Sequence, residues 1–95
     1  MPALSQNEVE VSLKDLPEWK LDAGKLVRDW VFKDFVAAMA FVNSIATLAE
    51  QAGHHPDIDV RYNRVRLGLV SHDAGGITGR DVKMAKRISS DFPAV

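Results

Sequence analysis

The stretch from Asp34 to Gly53 constrains this chain more than any other. Phe35, Ala38, Met39, Val42, Ile45, Ala46 and Ala49 recur at spacings of three and four, the period of one buried helix face. Phe41 and Leu48 widen that apolar surface. Asp34 is placed to accept the first free amide hydrogens, and Gly53 can adopt the left-handed conformation that ends a helix. The pattern predicts a helix over 34–52. A helix this apolar needs cover, yet a domain of 95 residues buries only roughly 60–65% of its unfolded surface. Self-association is the expected supplement.

The flanking segments supply a sheet. Trp19–Leu21 and Lys25–Phe32 read as strands joined by a turn at Asp22-Ala23-Gly24. In the second of these, Leu26, Arg28, Trp30 and Phe32 share one side and Val27, Asp29 and Val31 the other. That alternation does not decide which face is inside. Ile58, Val60 and Tyr62 alternate with Asp59 and Arg61; Asn63-Arg64 turns the chain, and Val65, Leu67 and Leu69 continue to Ser71 as a hairpin partner. Residues 5–16 fit two periods: Val9, Leu13 and Leu16 make a helical stripe, whereas Val9, Val11 and Leu13 alternate. A capping box of Ser5 and Glu8 favours a short helix, ended by Pro17. Thr78 and Asp81 form a second cap, opening a last helix with Val82, Ala85 and Ile88 or Ser89 inward and Met84 alongside. The expected fold is a single α+β domain over 1–95, a four-stranded antiparallel sheet with two to three helices packed on one face.

Composition removes several function classes. Twelve basic against 13 acidic residues give a net charge of −1, which argues against a partner bound by phosphate neutralisation. With no cysteine, disulfide frameworks, thiolate zinc sites and cysteine nucleophiles drop out. The first eight residues lack the basic start and apolar core of a signal peptide. No apolar run is expected to approach the ~18–20 residues that span a bilayer. A cytoplasmic location without membrane or nucleic-acid contact is the expectation.

All three histidines, His54, His55 and His72, fall in one short region. Imidazole both gives and takes protons near neutrality, so such a cluster invites acid–base chemistry. Two other readings stand beside it. Neutral imidazoles with Asp57, Glu50 or Asp81 could bind zinc, although adjacent histidines seldom turn both rings to one ion and no HxH or HxxxH spacing is present. Loop histidines can also serve structure alone, bonded to backbone. Pro56 resists helix continuation, which puts His54-His55 in the exit loop of the long helix. A hairpin brings its outer ends together, so His72 is expected near that loop. Asp81 is first a helix cap, but a fixed carboxylate can also orient a histidine. Glu50 on its own reads as a solvated helix residue, and Trp19 as core. Gly75-Gly76 has neither a Walker lysine nor a GxGxxG pattern, so a phosphate loop is rejected.

The set Glu50-x-x-x-His54-His55-Pro56, Tyr62, His72 and Gly76-Ile77-Thr78-x-x-Asp81 resembles the signature of the pterin-4a-carbinolamine dehydratases. Leu16-Pro17-Glu18-Trp19, Phe32-Lys33-Asp34-Phe35 and Ala40-Phe41-Val42-Asn43 are also similar to that family, so the likeness runs over about residues 13 to 90. It implies an α+β lyase, a homodimer or homotetramer, that eliminates water from 4a-hydroxytetrahydropterin to give quinonoid dihydropterin. By that resemblance His54 and His72 handle protons, His55 binds and orients the pterin, and Asp81 supports them. Trp19 matches a tryptophan lining the family's pterin pocket, and Glu50, Pro56 and Asp57 are carried as further substrate contacts. The resemblance implies no metal and no organic cofactor. It also leaves a second class open, because some members act as binding modules that stabilise a transcription-factor dimer, and related degenerate domains are assembly chaperones. Retained histidines favour catalysis. The one departure is the β-tolerant Val9-Glu-Val11-Ser-Leu13 near the amino terminus.

Overall fold

A computed structural model describes residues 2–93. Helix α1 (Gln6–Leu13) is followed by strands β1 (Lys20–Asp22) and β2 (Lys25–Val31), then helix α2 (Phe35–Ala52). Strands β3 (Asp57–Arg61) and β4 (Arg64–Leu69) lead through a short 3-10 turn (His72–Ala74) into helix α3 (Gly79–Asp91). The strands form one open antiparallel sheet in the order β1-β2-β4-β3. The α+β fold expected from the sequence is the fold observed.

Local chemistry sets the boundaries. Ser5 Oγ accepts from the Glu8 amide while Glu8 accepts from the Ser5 amide, and this reciprocal cap settles α1 as helix. It ends at Leu13, before Pro17 is reached, in a turn through Lys14. The β1–β2 loop is shorter than expected. Asp22 pairs with Lys25 inside the ladder, and only Ala23 and Gly24 turn the chain, both with positive φ. The second hairpin turns at Tyr62-Asn63 rather than Asn63-Arg64. The reason is tertiary: Phe32 N donates to Asn63 O, and the Asn63 side-chain amide donates to Phe32 O, each at 2.8 Å. Asn63 is thereby fixed against the end of β2, and Arg64 is free to pair with Val31 and Arg61.

The core lies between the sheet and the helices. Leu26 and Trp30 from β2 and Val65, Leu67 and Leu69 from β4 meet Val9 of α1, Phe41 and Ile45 of α2, and Ala85 and Ile88 of α3. Phe41 ties the layers together, with ring centroids 4.8 Å from Trp30 and 5.1 Å from Phe32. The opposite sheet face is charged: Arg66 holds Asp29 through two nitrogens and reaches Asp22, and Lys25 bridges to Asp57. The inward side of β2 includes Arg28, only 5% exposed, with its guanidinium 4.3 Å from the centre of the Trp30 ring and Nη1 donating to Ser89 Oγ. Desolvation pushes its pKa down, and Glu18 at 4.0 Å partly restores the charged form.

Two expectations about α2 need correction. The buried stripe is Ala38, Phe41, Ile45, Leu48 and Ala49. Phe35 is 50% exposed, Ala46 is also exposed, and Met39 and Val42 are half-buried. The core covers one side of the helix only, and Phe41 lies on that side, packed on Trp30, Phe32 and Phe92, with Leu48 also buried. The second correction concerns length: α2 has 18 residues with mean hydropathy 1.3, enough by length and composition to cross a membrane. Its buried stripe packs into the core described above.

Candidate functional site

The site is assembled from three element ends. α2 stops at Gly53, whose φ of 65° is left-handed, and whose amide donates to Ala49 O. His54 N bonds the same carbonyl, so the loop leaves the helix in a fixed direction. β4 ends at Leu69, and Ser71 then forms a bridge with Gly76 around the 3-10 turn that carries His72. α3 begins at Thr78, whose side chain and Asp81 make the reciprocal cap expected from the sequence.

Asp81 is the centre of this arrangement and is completely buried. Its Oδ1 lies 2.5 Å from His54 Nε2. Its Oδ2 accepts from Ser71 Oγ and from the Thr78 amide, each at 2.9 Å. The chain of donors continues outward in one direction. Ser71 gives its proton to Asp81, so Thr78 gives its own to Ser71 Oγ at 2.9 Å, and Thr78 Oγ1 accepts from the Arg80 amide. Two donors, a hydroxyl and a backbone amide, already converge on the buried carboxyl, and its contact with His54 Nε2 is complete with one proton between them. With that proton on Nε2, the neutral imidazole is the tautomer with a bare Nδ1. Among the described residues His54 makes its one side-chain hydrogen bond through Nε2, and Nδ1 has no partner.

The other histidines are held differently. His55 is exposed, and its Nε2 lies 2.5 Å from Glu50 Oε2, one turn back on α2. His72 is exposed on the 3-10 turn. A cavity of about 230 Å³ has all three histidines in its wall, with Gly53, Val70, Ser71 and Asp73. The expectation that hairpin geometry brings His72 to the His54-His55 loop holds. His54 and His55 turn their Nε2 atoms to different carboxylates, and among the described residues no three His, Asp or Glu side chains converge to hold a metal ion.

Three sequence-selected residues lie apart from that wall. Trp19 is 4% exposed in the core, its Nε1 donating to Ser89 Oγ at 2.8 Å and its ring edge-on to Trp30 at 6.0 Å. Asp57 sits on the charged outer face of the sheet, opposite Gly68 and bonded to Lys25 at 2.5 Å. Pro56 is half-buried in the link to β3 and serves the loop's direction. Glu50 enters the site through His55 alone. One residue went unsingled in the sequence, Ser71. Its signal was present: it continues the inward positions Val65, Leu67 and Leu69, and a hydroxyl on an apolar stripe needs a buried acceptor.

Comparison with known proteins identifies relatives over nearly the whole chain. The family model described as pterin 4 alpha carbinolamine dehydratase matches residues 2–90. A protein of Acidobacterium capsulatum, provisionally named pterin-4-alpha-carbinolamine dehydratase, is 58% identical over 90 residues, covering 95% of this chain and 98% of the relative. A Chloroflexus aurantiacus protein with the same provisional name is 52% identical over 88 residues, covering 93% and 95%. Among solved structures, a transcriptional coactivator/pterin dehydratase from Brucella melitensis superposes with a TM-score of 0.84 at 34% identity, over 93% of this chain and 96% of that one. A pterin dehydratase-like RuBisCO assembly factor of the alpha-carboxysome shares the fold at a TM-score of 0.62 and 20% identity, over 81% and 89%.

Proposed function

The chain belongs to the pterin 4 alpha carbinolamine dehydratase family, and on that footing we propose that it dehydrates 4a-hydroxytetrahydropterin by histidine acid–base catalysis. The observation that carries the proposal is the His54–Asp81 pair, an imidazole oriented by a fully buried carboxylate at the edge of a cavity. In the reaction the C4a–O bond breaks and an N5=C4a double bond forms. The N5 proton goes to a base, and the departing hydroxyl takes a proton from an acid and leaves as water. His54, with its proton on Nε2 and Nδ1 bare, is suited to the base, and Asp81 stabilises the imidazolium that results. His72, in the wall of the same cavity, is assigned the acid. His55, steadied by Glu50, is assigned to hold the pterin. The product is quinonoid dihydropterin, the form returned for reduction after aromatic amino acid hydroxylation.

The protein is proposed to work as a homodimer or homotetramer. Phe35 is 50% and Val36 75% exposed on the first turn of α2, beside a helix flank that includes Ala46, and β3 leaves Ile58 partly exposed at an open sheet edge. Light scattering at working concentration checks this; a monomer contradicts it. A binding or assembly role has the Brucella protein's coactivator name on its side, but a binding role alone gives no reason for the buried network behind His54. The deciding assay generates the carbinolamine with a pterin-dependent hydroxylase and follows its disappearance by ultraviolet absorbance. Acceleration by this protein is expected, and an unchanged rate at micromolar protein refutes the proposal.

A further inference from the structure

Behind His54 lies a second cavity, of about 300 Å³, that shares both Gly53 and His54 with the histidine-lined one. Its floor is apolar, made by Leu48 and Met84, and its rim carries three cations, Arg80, Lys83 and Arg87. These stand at i, i+3 and i+7 on α3 and so share one helix face. We propose that this groove receives the side chain of the pterin and selects one that bears negative charge, a phosphate ester or a carboxylate. The inference rests on the pterin reading above.

Three observations support it. The first is size. The histidine cavity alone, at about 230 Å³, falls below the ~300–1,000 Å³ usual for small-molecule sites, whereas the two together fall inside that range. The second is continuity. Gly53 and His54 line both cavities, and Gly53 places no side chain where they adjoin. The third is charge. Among the described residues the rim cations pair with two carboxylates: Arg80 holds Asp73 at 2.6 Å, Arg87 holds Asp91 at 3.0 Å, and Lys83 makes no ion pair. Both pairs are exposed, and such pairs contribute little, so a dianion can compete for the guanidinium groups. The carbonyl end of α2 also borders the groove and by itself disfavours anions, but Ala49 O is already capped by two amides. The three side-chain cations outweigh what remains.

The test uses the full chain and ligands that need no turnover. Equilibrium binding of 7,8-dihydroneopterin is compared with that of its monophosphate, and 7,8-dihydrofolate serves as the carboxylate arm. At low salt the phosphate ester is expected to bind about tenfold more tightly than the neutral pterin. The double variant Lys83→Glu, Arg87→Glu is expected to abolish that ratio, and 0.5 M salt to compress it. Dihydrofolate matching the phosphate identifies charge as the selector, whereas preference for one anion alone identifies its source. Equal affinities for charged and neutral pterins, or a ratio untouched by the charge reversal, overturns the inference. Turnover of a neutral carbinolamine is measured alongside, so that loss of the dehydratase reading is seen separately. Absence of any pterin binding overturns both.

Discussion

Replacing Asp81 by Asn tests the centre of the site with the smallest change of shape. Asp81 receives His54 Nε2 at 2.5 Å, Ser71 Oγ at 2.9 Å and the Thr78 amide at 2.9 Å. An asparagine oxygen can keep the two bonds to Ser71 and Thr78, so the reciprocal cap at the start of α3 is preserved. Its NH2 group then faces His54 Nε2. That nitrogen must become an acceptor, and the imidazole proton moves to Nδ1, the atom required bare for substrate. Hydrogen bonds to charged groups contribute about 1.5–3 kcal/mol, and 1.4 kcal/mol is tenfold in rate, so kcat/KM should fall between about tenfold and one hundredfold. Stability should drop by about 1–3 kcal/mol, a loss that a domain of typical 5–15 kcal/mol survives. Two measurements decide the matter: the carbinolamine absorbance assay, and imidazole ¹⁵N shifts of His54 in both proteins. A variant with unchanged turnover and an unchanged Nε2–H signature would show that Asp81 is a helix cap and nothing more.

Other consequences are open to direct measurement. His54→Ala and His72→Ala should each lower turnover by on the order of 10–10³-fold with circular dichroism unchanged, whereas His55→Ala should act mainly on KM; wild-type rates in the first two refute their assignment. Leu67 is fully buried on the central strand β4, so Leu67→Ala should cost about 2–5 kcal/mol and lower Tm by roughly 10 °C or more, read by calorimetry. The hydrogen bonds from Arg66 hold the Asp29 carboxyl below its ordinary value, outweighing its slight desolvation. A depressed folded-state pKa makes that contribution complete above the unfolded value of about 3.9, and it is lost as pH falls through the folded one. Asp29→Asn should therefore lower the urea midpoint near neutrality and converge on the wild type in strong acid; parallel curves at all pH values contradict this.

The legible part of this protein was the local part. The caps at Ser5, Asp34 and Thr78, the stop at Gly53 and the alternation of β4 each depend on neighbours within a few residues, and the sequence carries those neighbours. The histidines could be placed at one end of the fold for the same reason, since a hairpin and a helix stop are short-range events. The errors arose where distant contacts outbid local pattern. β2 gave no clear inside because Arg28 occupies an inward position, which is tenable only where Trp30 lies under its guanidinium and Ser89 of α3 accepts from it. The turn of the second hairpin moved by one residue because Phe32 fixes Asn63.

The sequence by itself determined the α+β architecture, the helix ends and the presence of three imidazoles near one loop. Only the tertiary structure decided their inequality. His54 and Asp81 are separated by 27 positions, and no periodicity predicts which of three histidines meets the buried carboxylate. The same packing buried Trp19 against Ser89, turned Asp57 to the outer face of the sheet, and gave Ser71 its place behind Asp81. Backbone propensity is set by residues adjacent in the chain. Burial and proton placement are set by residues adjacent in space, and those neighbours exist only after the sheet and helices have closed on one another.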